Sequence, residues 1–299
     1  MGEYISKIAE GIAKNNDRMK LIVLCDPIEE KMFETEETYN KKIGSEVSLL
    51  KYKDYKEILK QNKIDIAIIS TESGYHEKIG LYFLENGVNI IIEKPLAMSI
   101  EGAQKLVDTA KKNNLKLAAS HQNRFNYPIQ LLKKAIKENR LGKIFNGMAR
   151  ILWTRDDNYY LQAPWRGTWA LDGGTLMNQC IHNIDLINWM MADEIDTVCS
   201  QTSNYIRNIE AEDYGVILIR YKSGKIATIE GSAIVYPKNL EETLTITGEK
   251  GTVVIGGMAV NKINTWRVEG DNEEDYLSID CGDPNSVYGY GHEALYKDF

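Results

Sequence analysis

Apolar residues follow two different rhythms along this chain, and the change falls near residue 122. Before it, short unbroken apolar runs cover residues 19–25 (MKLIVLC), 64–70 (IDIAIIS), 88–92 (VNIII) and 115–120 (LKLAAS). Runs of that length predict strands buried on both faces. Between them, apolar residues recur at helical spacing over 28–42, 55–61, 75–86 and 100–113. Ser99 is placed to cap the last of these, with Glu101 and Gln104 in its first turns. Alternation of this kind predicts an α/β unit with a doubly wound parallel sheet. After Gln122 one helix is predicted over 128–139, a strand over 143–153 and a single helix over 175–191. Strand pairs follow: 214–221 with 225–234 about Lys222-Ser223-Gly224, and 242–247 with 252–255 about residues 248–251. Short turns between β-rich runs predict an antiparallel sheet, so the second part is α+β. The expected domains are 1–122 and 123–299, with no internal repeat.

Length and composition agree with two globular domains. The chain has 299 residues, 43% hydrophobic and 26% charged, against roughly 150 residues per domain. Its net charge of −7 gives no general attraction to nucleic acid or to an anionic membrane, so neither is an expected partner. No apolar run approaches the roughly 20 residues that span a bilayer. The start, MGEYISKIAEG, lacks the basic and apolar regions of a signal peptide. Cys25, Cys180, Cys199 and Cys281 are far apart and form no C-x-x-C pair. A disulfide framework and a zinc site are not expected, and a reducing cytoplasm fits.

The first domain has the strand–helix grammar of a dinucleotide-binding (Rossmann-like) fold but no G-x-G-x-x-G loop. Gly2 precedes a helical pattern (Tyr4, Ile5, Ile8, Ile12), then the strand over 19–25, then Asp26. That spacing suits the third glycine of such a loop and the acid that binds ribose hydroxyls. The expectation is that Met1 lies inside a longer reading frame, with the first strand and first two glycines upstream; the literal myristoylation pattern at Met1-Gly2 then carries no meaning. Asp26 as a ribose ligand favours NAD over NADP, and the alternative is a cap on the turn before Pro27.

Three groups of residues have chemical potential. Glu93-Lys94-Pro95 follows the strand over 88–92, and ligands of open α/β sheets bind beyond the carboxyl ends of strands. Lys94 there suits proton transfer with a substrate hydroxyl, or merely pairs with Glu93. On one continuous helix Asn178 and His182 would be i,i+4, and His182 and Asp185 i,i+3, so an amide, an imidazole and a carboxylate would share a face. His182 is the candidate proton shuttle; the alternative is a polar face turned to the core. Two converging ligand types are too few for a metal site. From Arg124 to Arg166 there are nine Lys or Arg against three acids, a local +6 in an acidic chain. Arg150, Arg155 and Arg166 surround Trp153, Tyr159, Tyr160 and Trp165, a pattern suited to a small anionic nucleotide. The lysines of this stretch are read as a solvated helix face.

Ser73-Gly74-Tyr75-His76, Glu93-Lys94-Pro95, Asn123-Arg124-Phe125, Gly173-Gly174 and His182-Asn183-Ile184-Asp185 together resemble the Gfo/Idh/MocA family of sugar and polyol dehydrogenases. The likeness runs from about Lys7 to Phe299. Residues 159–169 (YYLQAPWRGTW), Leu171-Asp172-Gly173-Gly174 and Met177-Asn178-Gln179 are similar to the branch that oxidises UDP-N-acetylglucosaminuronic acid at its 3-hydroxyl. Many relatives carry Asp where Asn178 stands, and Asn in this branch leaves Lys94 and His182 for acid–base work. The resemblance implies NAD as cofactor, with Lys94 as main proton acceptor and His182 assisting. It implies that Gly2, Asp26, Ser70, His76, Glu93, Lys94 and Asn123 face the cofactor. Arg155, Tyr160, Trp165, Arg166, Asn178, Gln179 and Asp185 would hold the UDP-sugar acid. It further implies a homo-oligomer, dimer or tetramer, built through the open sheet face, and a product used for surface polysaccharide. The rivals are another sugar or inositol dehydrogenase of the family, and a non-catalytic sugar-nucleotide sensor. The closing residues, 291–299, read as the opening of an amphipathic helix without a stop signal.

Overall fold

A computed structural model describes residues 2–282, 287 and 289–299, with side chains from Lys7 onward. The chain divides into two compact units, with breaks after Gln122 and Gly289, and Tyr290–Phe299 belongs to the first.

In the first unit, helix α1 (Gly2–Lys14) leads to β1 (Val23–Cys25), α2 (Glu29–Ile43), β2 (Leu50–Tyr52), α3 (Tyr55–Gln61), β3 (Ile66–Ile69), α4 (His76–Glu85), β4 (Asn89–Glu93), α5 (Ile100–Lys112) and β5 (Leu117–Ser120). Every strand pair is parallel: β1 with β2, and β3-β4-β5 in that order. The unbroken apolar run of β4 has a physical reason. Ile90, Ile91 and Ile92 are all buried, so both faces of the strand are covered, and Phe83, Leu84 and Leu106 pack with Ile90 and Ile92 in the core. Ser99 does cap α5, its hydroxyl accepting from Gly102 N at 3.0 Å. Strand β2 has only three residues, too few to establish a period in the sequence.

The second unit holds α6 (Tyr127–Lys137), β6 (Ile144–Leu152), α7 (Asp157–Leu161), α8 (Thr175–Asn178), α9 (Ile181–Met191), β7 (Ile195–Ser203), β8 (Tyr214–Tyr221), β9 (Ile226–Ser232), β10 (Glu241–Gly248), β11 (Gly251–Gly256), β12 (Lys262–Val268) and α10 (Glu273–Leu277). Its seven strands are ordered β12-β11-β10-β6-β9-β8-β7, antiparallel except for β6 beside β9. Helices α6 and α9 cover one face, burying Ile129, Leu132, Leu186, Ile187 and Met190 against Ala149, Ile229, Leu244 and Ile246. Met148, Val198 and Leu218 are exposed.

The helix expected over 175–191 is two helices. The Thr175 carbonyl accepts from both Gln179 N at 2.9 Å and Cys180 N at 3.0 Å. This wider turn carries Cys180 into an apolar cluster with Ile151 and Trp153, and the ladder restarts at Ile181. Burial of one side chain therefore takes precedence over helical continuity.

The tail, which the sequence grouped with the second domain, packs in the first unit. Helix α11 (Gly291–Asp298) buries His292, Leu295 and Tyr296. Asn15 Nδ2 donates to the carbonyls of Gly11 and Glu293 at 2.9 and 3.0 Å, and Lys14 pairs with Glu293 at 3.0 Å. The amphipathic face has a partner in α1, and this sets its position. A Cβ on Gly11 would stand 2.8 Å from Cε2 of the buried Tyr296 ring. Gly11→Val should therefore destabilise the protein by about 1–3 kcal/mol, read by urea denaturation; an unchanged midpoint would show that α11 does not pack there.

Candidate functional site

In the first unit the residues of interest follow the carboxyl ends of parallel strands: Asp26 after β1, Ser70 after β3, and Lys94 after β4. Gly2 opens α1. Asp26 Oδ1 accepts from Ile28 N at 2.8 Å, and Oδ2 lies 3.8 Å from Lys31. Asp26 thus caps its own turn with one oxygen. Lys94 is half-buried at its strand end. Glu93, expected toward the cofactor, is buried at 4% exposure with Oε1 4.0 Å from His292 Nε2 of α11. Burial, and then the neighbouring Glu93, hold the Tyr296 hydroxyl well above its ordinary pKa.

His76, also expected toward the cofactor, has backbone partners. Its ring is 1% exposed, with Nδ1 2.7 Å from the Pro95 carbonyl and Nε2 3.1 Å from the Thr71 carbonyl. It lies between the turn after β3 and the turn carrying Lys94, and as a neutral ring it donates to one of these two carbonyls through its single N–H. Burial lowers its pKa below the usual 6.5 despite the two carbonyls.

In the second unit Asp156 caps α7, accepting from Tyr159 N at 2.9 Å, and this turn presents Tyr159 to two cations. The Arg166 guanidinium lies 4.0 Å from the ring centroid and that of Arg155 5.2 Å. Arg155 also stacks on Trp153 at 4.7 Å, and Arg166 on Trp165 at 5.0 Å. Gln179 ties the group together: its Oε1 accepts from Arg155 Nε at 3.1 Å and its Nε2 donates to the Tyr159 hydroxyl at 2.9 Å. Tyr160 meets Tyr159 edge-on at 5.1 Å. Burial raises the Tyr160 hydroxyl pKa, with Arg155 and Arg207 opposing. Among the described residues no carboxylate lies within ion-pair distance of Arg155 or Arg166, and Trp165 Nε1 and Arg166 Nε are buried without acceptors. The cluster offers cations, donors and aromatic faces, as an anionic ligand requires.

Three expected groupings change. Arg150 does not join this cluster, because Glu230 at 3.0 Å and Glu241 at 2.9 Å neutralise it within the sheet. Asn178 and His182 sit on separate helices, so no single helix carries the amide, imidazole and carboxylate. Asn178 Nδ2 donates to Asp172, which also accepts from Gly167 N at 2.7 Å. Asp185 accepts from Arg124 Nε at 2.6 Å and Nη2 at 2.5 Å, which gives that carboxylate a structural partner. Asn123, beside Arg124, is buried, and among the described residues no donor reaches its Oδ1.

The segment between β7 and β8 carries residues that the sequence did not reveal. Glu212 accepts from Leu176 N at 2.9 Å through Oε1 and from Thr175 N at 3.0 Å through its carbonyl, fixing the start of α8. A Cβ on Gly174 would run into that carboxylate, so glycine lets Glu212 close on the start of α8. Asp213, fully buried, accepts from the backbone N–H groups of Tyr205, Ile206 and Arg207, each at 2.9 Å. On β10, Glu242 stands on the covered face in line with Leu244 and Ile246, and burial pushes its carboxyl pKa up to about 8. Polar loops and strand acids carry no periodic signal, so only tertiary context exposes them.

Comparisons with known proteins now bear on the site. A family model described as "Oxidoreductase family, NAD-binding Rossmann fold" matches residues 1–121, and "GFO/IDH/MocA C-terminal domain" matches 129–254. The chain is similar to the WlbA dehydrogenase from Bordetella pertussis, solved in complex with NADH and UDP-GlcNAcA. Identity is 33% and the TM-score 0.85, covering 97% of this chain and 82% of that one. The Chromobacterium violaceum WlbA dehydrogenase, solved with the same two ligands, gives 34% and 0.83, covering 97% and 80%. Myo-inositol 2-dehydrogenase of Thermotoga maritima is 23% identical over 274 residues, 90% of this chain and 77% of that protein.

His76→Ala should lower stability by about 1–3 kcal/mol near pH 8, since it removes a buried ring and the one N–H that it donates to a carbonyl. The native ring resists protonation below 6.5 while the unfolded ring accepts it, so the stability it contributes is present above 6.5 and declines as pH falls. The cost of the substitution should therefore shrink near pH 5.5 in denaturant titrations; a cost that grows on acidification would contradict the neutral ring.

Proposed function

This chain belongs to the Gfo/Idh/MocA family of oxidoreductases, and we propose that it oxidises the 3-hydroxyl of UDP-N-acetylglucosaminuronic acid with NAD. At the coarser level it is an NAD-dependent dehydrogenase of sugar type, acting on CH–OH groups. In the first unit two residues suit the cofactor. Asp26 keeps Oδ2 at only 3.8 Å from Lys31, leaving acceptor capacity for a ribose hydroxyl, and Gly2 leaves the α1 N-terminus without a side chain. Bound NAD supplies the two-electron acceptor.

The residues of this chain do the rest. Lys94 accepts the proton of the 3-hydroxyl as its C–H bond breaks, and His182 assists. Arg155 and Arg166 bind the anionic groups of the substrate. Tyr160, Trp165, Asn178 and Gln179 orient it. The observation that carries this reading is the pair of guanidiniums on Tyr159 with no carboxylate at ion-pair distance among the described residues. A neutral polyol gives such a pair nothing to neutralise, whereas a UDP-sugar acid brings a diphosphate and a carboxylate. The structures of the two WlbA dehydrogenases with UDP-GlcNAcA support the same substrate. A cytoplasmic homo-oligomer supplying surface-polysaccharide synthesis is part of the proposal.

Reduction of NAD should proceed with UDP-N-acetylglucosaminuronic acid at a kcat/KM at least about 100-fold above that with myo-inositol, as charge-assisted bonds of 1.5–3 kcal/mol require; the reverse preference would assign the protein to the inositol dehydrogenases. Lys94→Ala should lower kcat by about 10²–10⁴-fold with KM nearly unchanged. Retention of kcat would remove Lys94 as the base.

A further inference from the structure

The arginine pair on Tyr159 has a third neighbour, and the fold takes unusual care to place it. Arg207 lies in the connection between β7 and β8, where the buried Asp213 carboxylate holds the N–H groups of residues 205, 206 and 207. Asn204 Nδ2 bonds the carbonyls of Ile209 and Ala211 at 2.8 and 2.9 Å, and the Gly167 carbonyl accepts from Glu210 N and Ala211 N, both at 3.1 Å. The segment is thereby pinned to the stretch that bears Trp165 and Arg166. Its arginine is 13% exposed at the side chain. Burial raises the pKa of the Tyr160 hydroxyl, and the positive charges of Arg155 and Arg207 both oppose that rise.

The guanidinium fork of Arg207 is half filled. Nη1 meets Asp157 Oδ1 at 3.3 Å, and Asp157 is 74% exposed, so solvent weakens that pair. Nε is buried without an acceptor among the described residues. In Arg124 of the same unit, Nε and Nη2 together take both oxygens of Asp185. That is the side-on geometry for one planar carboxylate, and the corresponding edge of Arg207 lacks its carboxylate. Gln179 joins Arg155 to the break between α8 and α9, three residues before His182. An anion held near Arg155 and Arg207 therefore belongs to the reacting sugar and not to the remote diphosphate.

We propose that Arg207 is the specificity-determining residue that binds the carboxylate of the acidic sugar and selects it over the neutral sugar of the same nucleotide. The inference rests on the UDP-sugar-acid reading above. The test measures dissociation constants of UDP-N-acetylglucosaminuronic acid and UDP-N-acetylglucosamine by titration calorimetry on the full chain, as wild type, Arg207→Met and Arg207→Lys. The two ligands share the diphosphate and differ in the carboxylate. Wild type should prefer the acid by about 10–100-fold. Arg207→Met should bring that preference within about threefold by weakening the acid alone, and Arg207→Lys should fall between, since an ammonium keeps the charge but not the fork. If Arg207→Met does not fold, Arg207→Lys decides by the same comparison. Asp157→Asn, which removes the competing carboxylate, should maintain or raise the preference. Equal weakening of both ligands would make Arg207 a diphosphate contact, and an undiminished preference would leave it no role; either result overturns the proposal. A wild type with no preference would overturn the substrate reading itself, a result distinct from a preference that survives loss of Arg207.

Discussion

Positive charge that, among the described residues, has no carboxylate at ion-pair distance is the constraint on which the proposed ligand of the second unit depends. Arg155 and Arg166 both face the ring of Tyr159, and like charges gathered this closely repel. Stacking on Trp153, Tyr159 and Trp165 offsets part of that repulsion, because aromatic faces carry negative potential. A bound anion from outside the chain would relieve the remainder. Arg150 shows the alternative. It stands on the same charged stretch of sequence, yet Glu230 and Glu241 complete its charge inside the sheet. Two arginines a few residues apart thus have opposite roles, one structural and one available to a ligand.

Carboxylates hold this arrangement through the backbone. Asp156, Asp172, Glu212 and Asp213 each accept main-chain N–H groups and so fix the turns that carry Tyr159, Gly167, α8 and Arg207. An ionised acceptor on a backbone donor is stronger than a neutral pair, and short loops locked in this way present side chains with little conformational loss on binding. The first unit uses an imidazole in a similar way: His76 lies between the turn that carries Lys94 and the turn after β3 and donates to one of their carbonyls. In both units the groups proposed for chemistry are positioned by polar residues behind them.

Much of the fold was legible because burial imposes period. The unbroken run of β4 marks a strand covered on two faces, and β10 alternates because only one of its faces is covered. The break at Gln179-Cys180 was not legible, since no glycine or proline marks it and its cause is the packing of Cys180 against Ile151 and Trp153. Arg150 was misassigned because its partners lie on strands 80 and 91 residues away. The contacts of His76 were not legible because they are carbonyl oxygens, which leave no trace in a sequence. Arg207 went unseen because nothing in the polar run around it distinguishes it from a solvated residue; only Asp213, six residues on, shows that the turn is built.

The central claim is that this family member removes hydrogen from C3 of an acidic UDP-sugar. The most direct test is a single turnover of UDP-N-acetylglucosaminuronic acid carrying deuterium at C3, with the products weighed by mass spectrometry. Deuterium should leave the sugar and appear in the reduced nicotinamide, with a 3-keto UDP-sugar acid as the other product. Deuterium retained at C3 while the nicotinamide becomes reduced would contradict the account, because oxidation would then occur at another carbon.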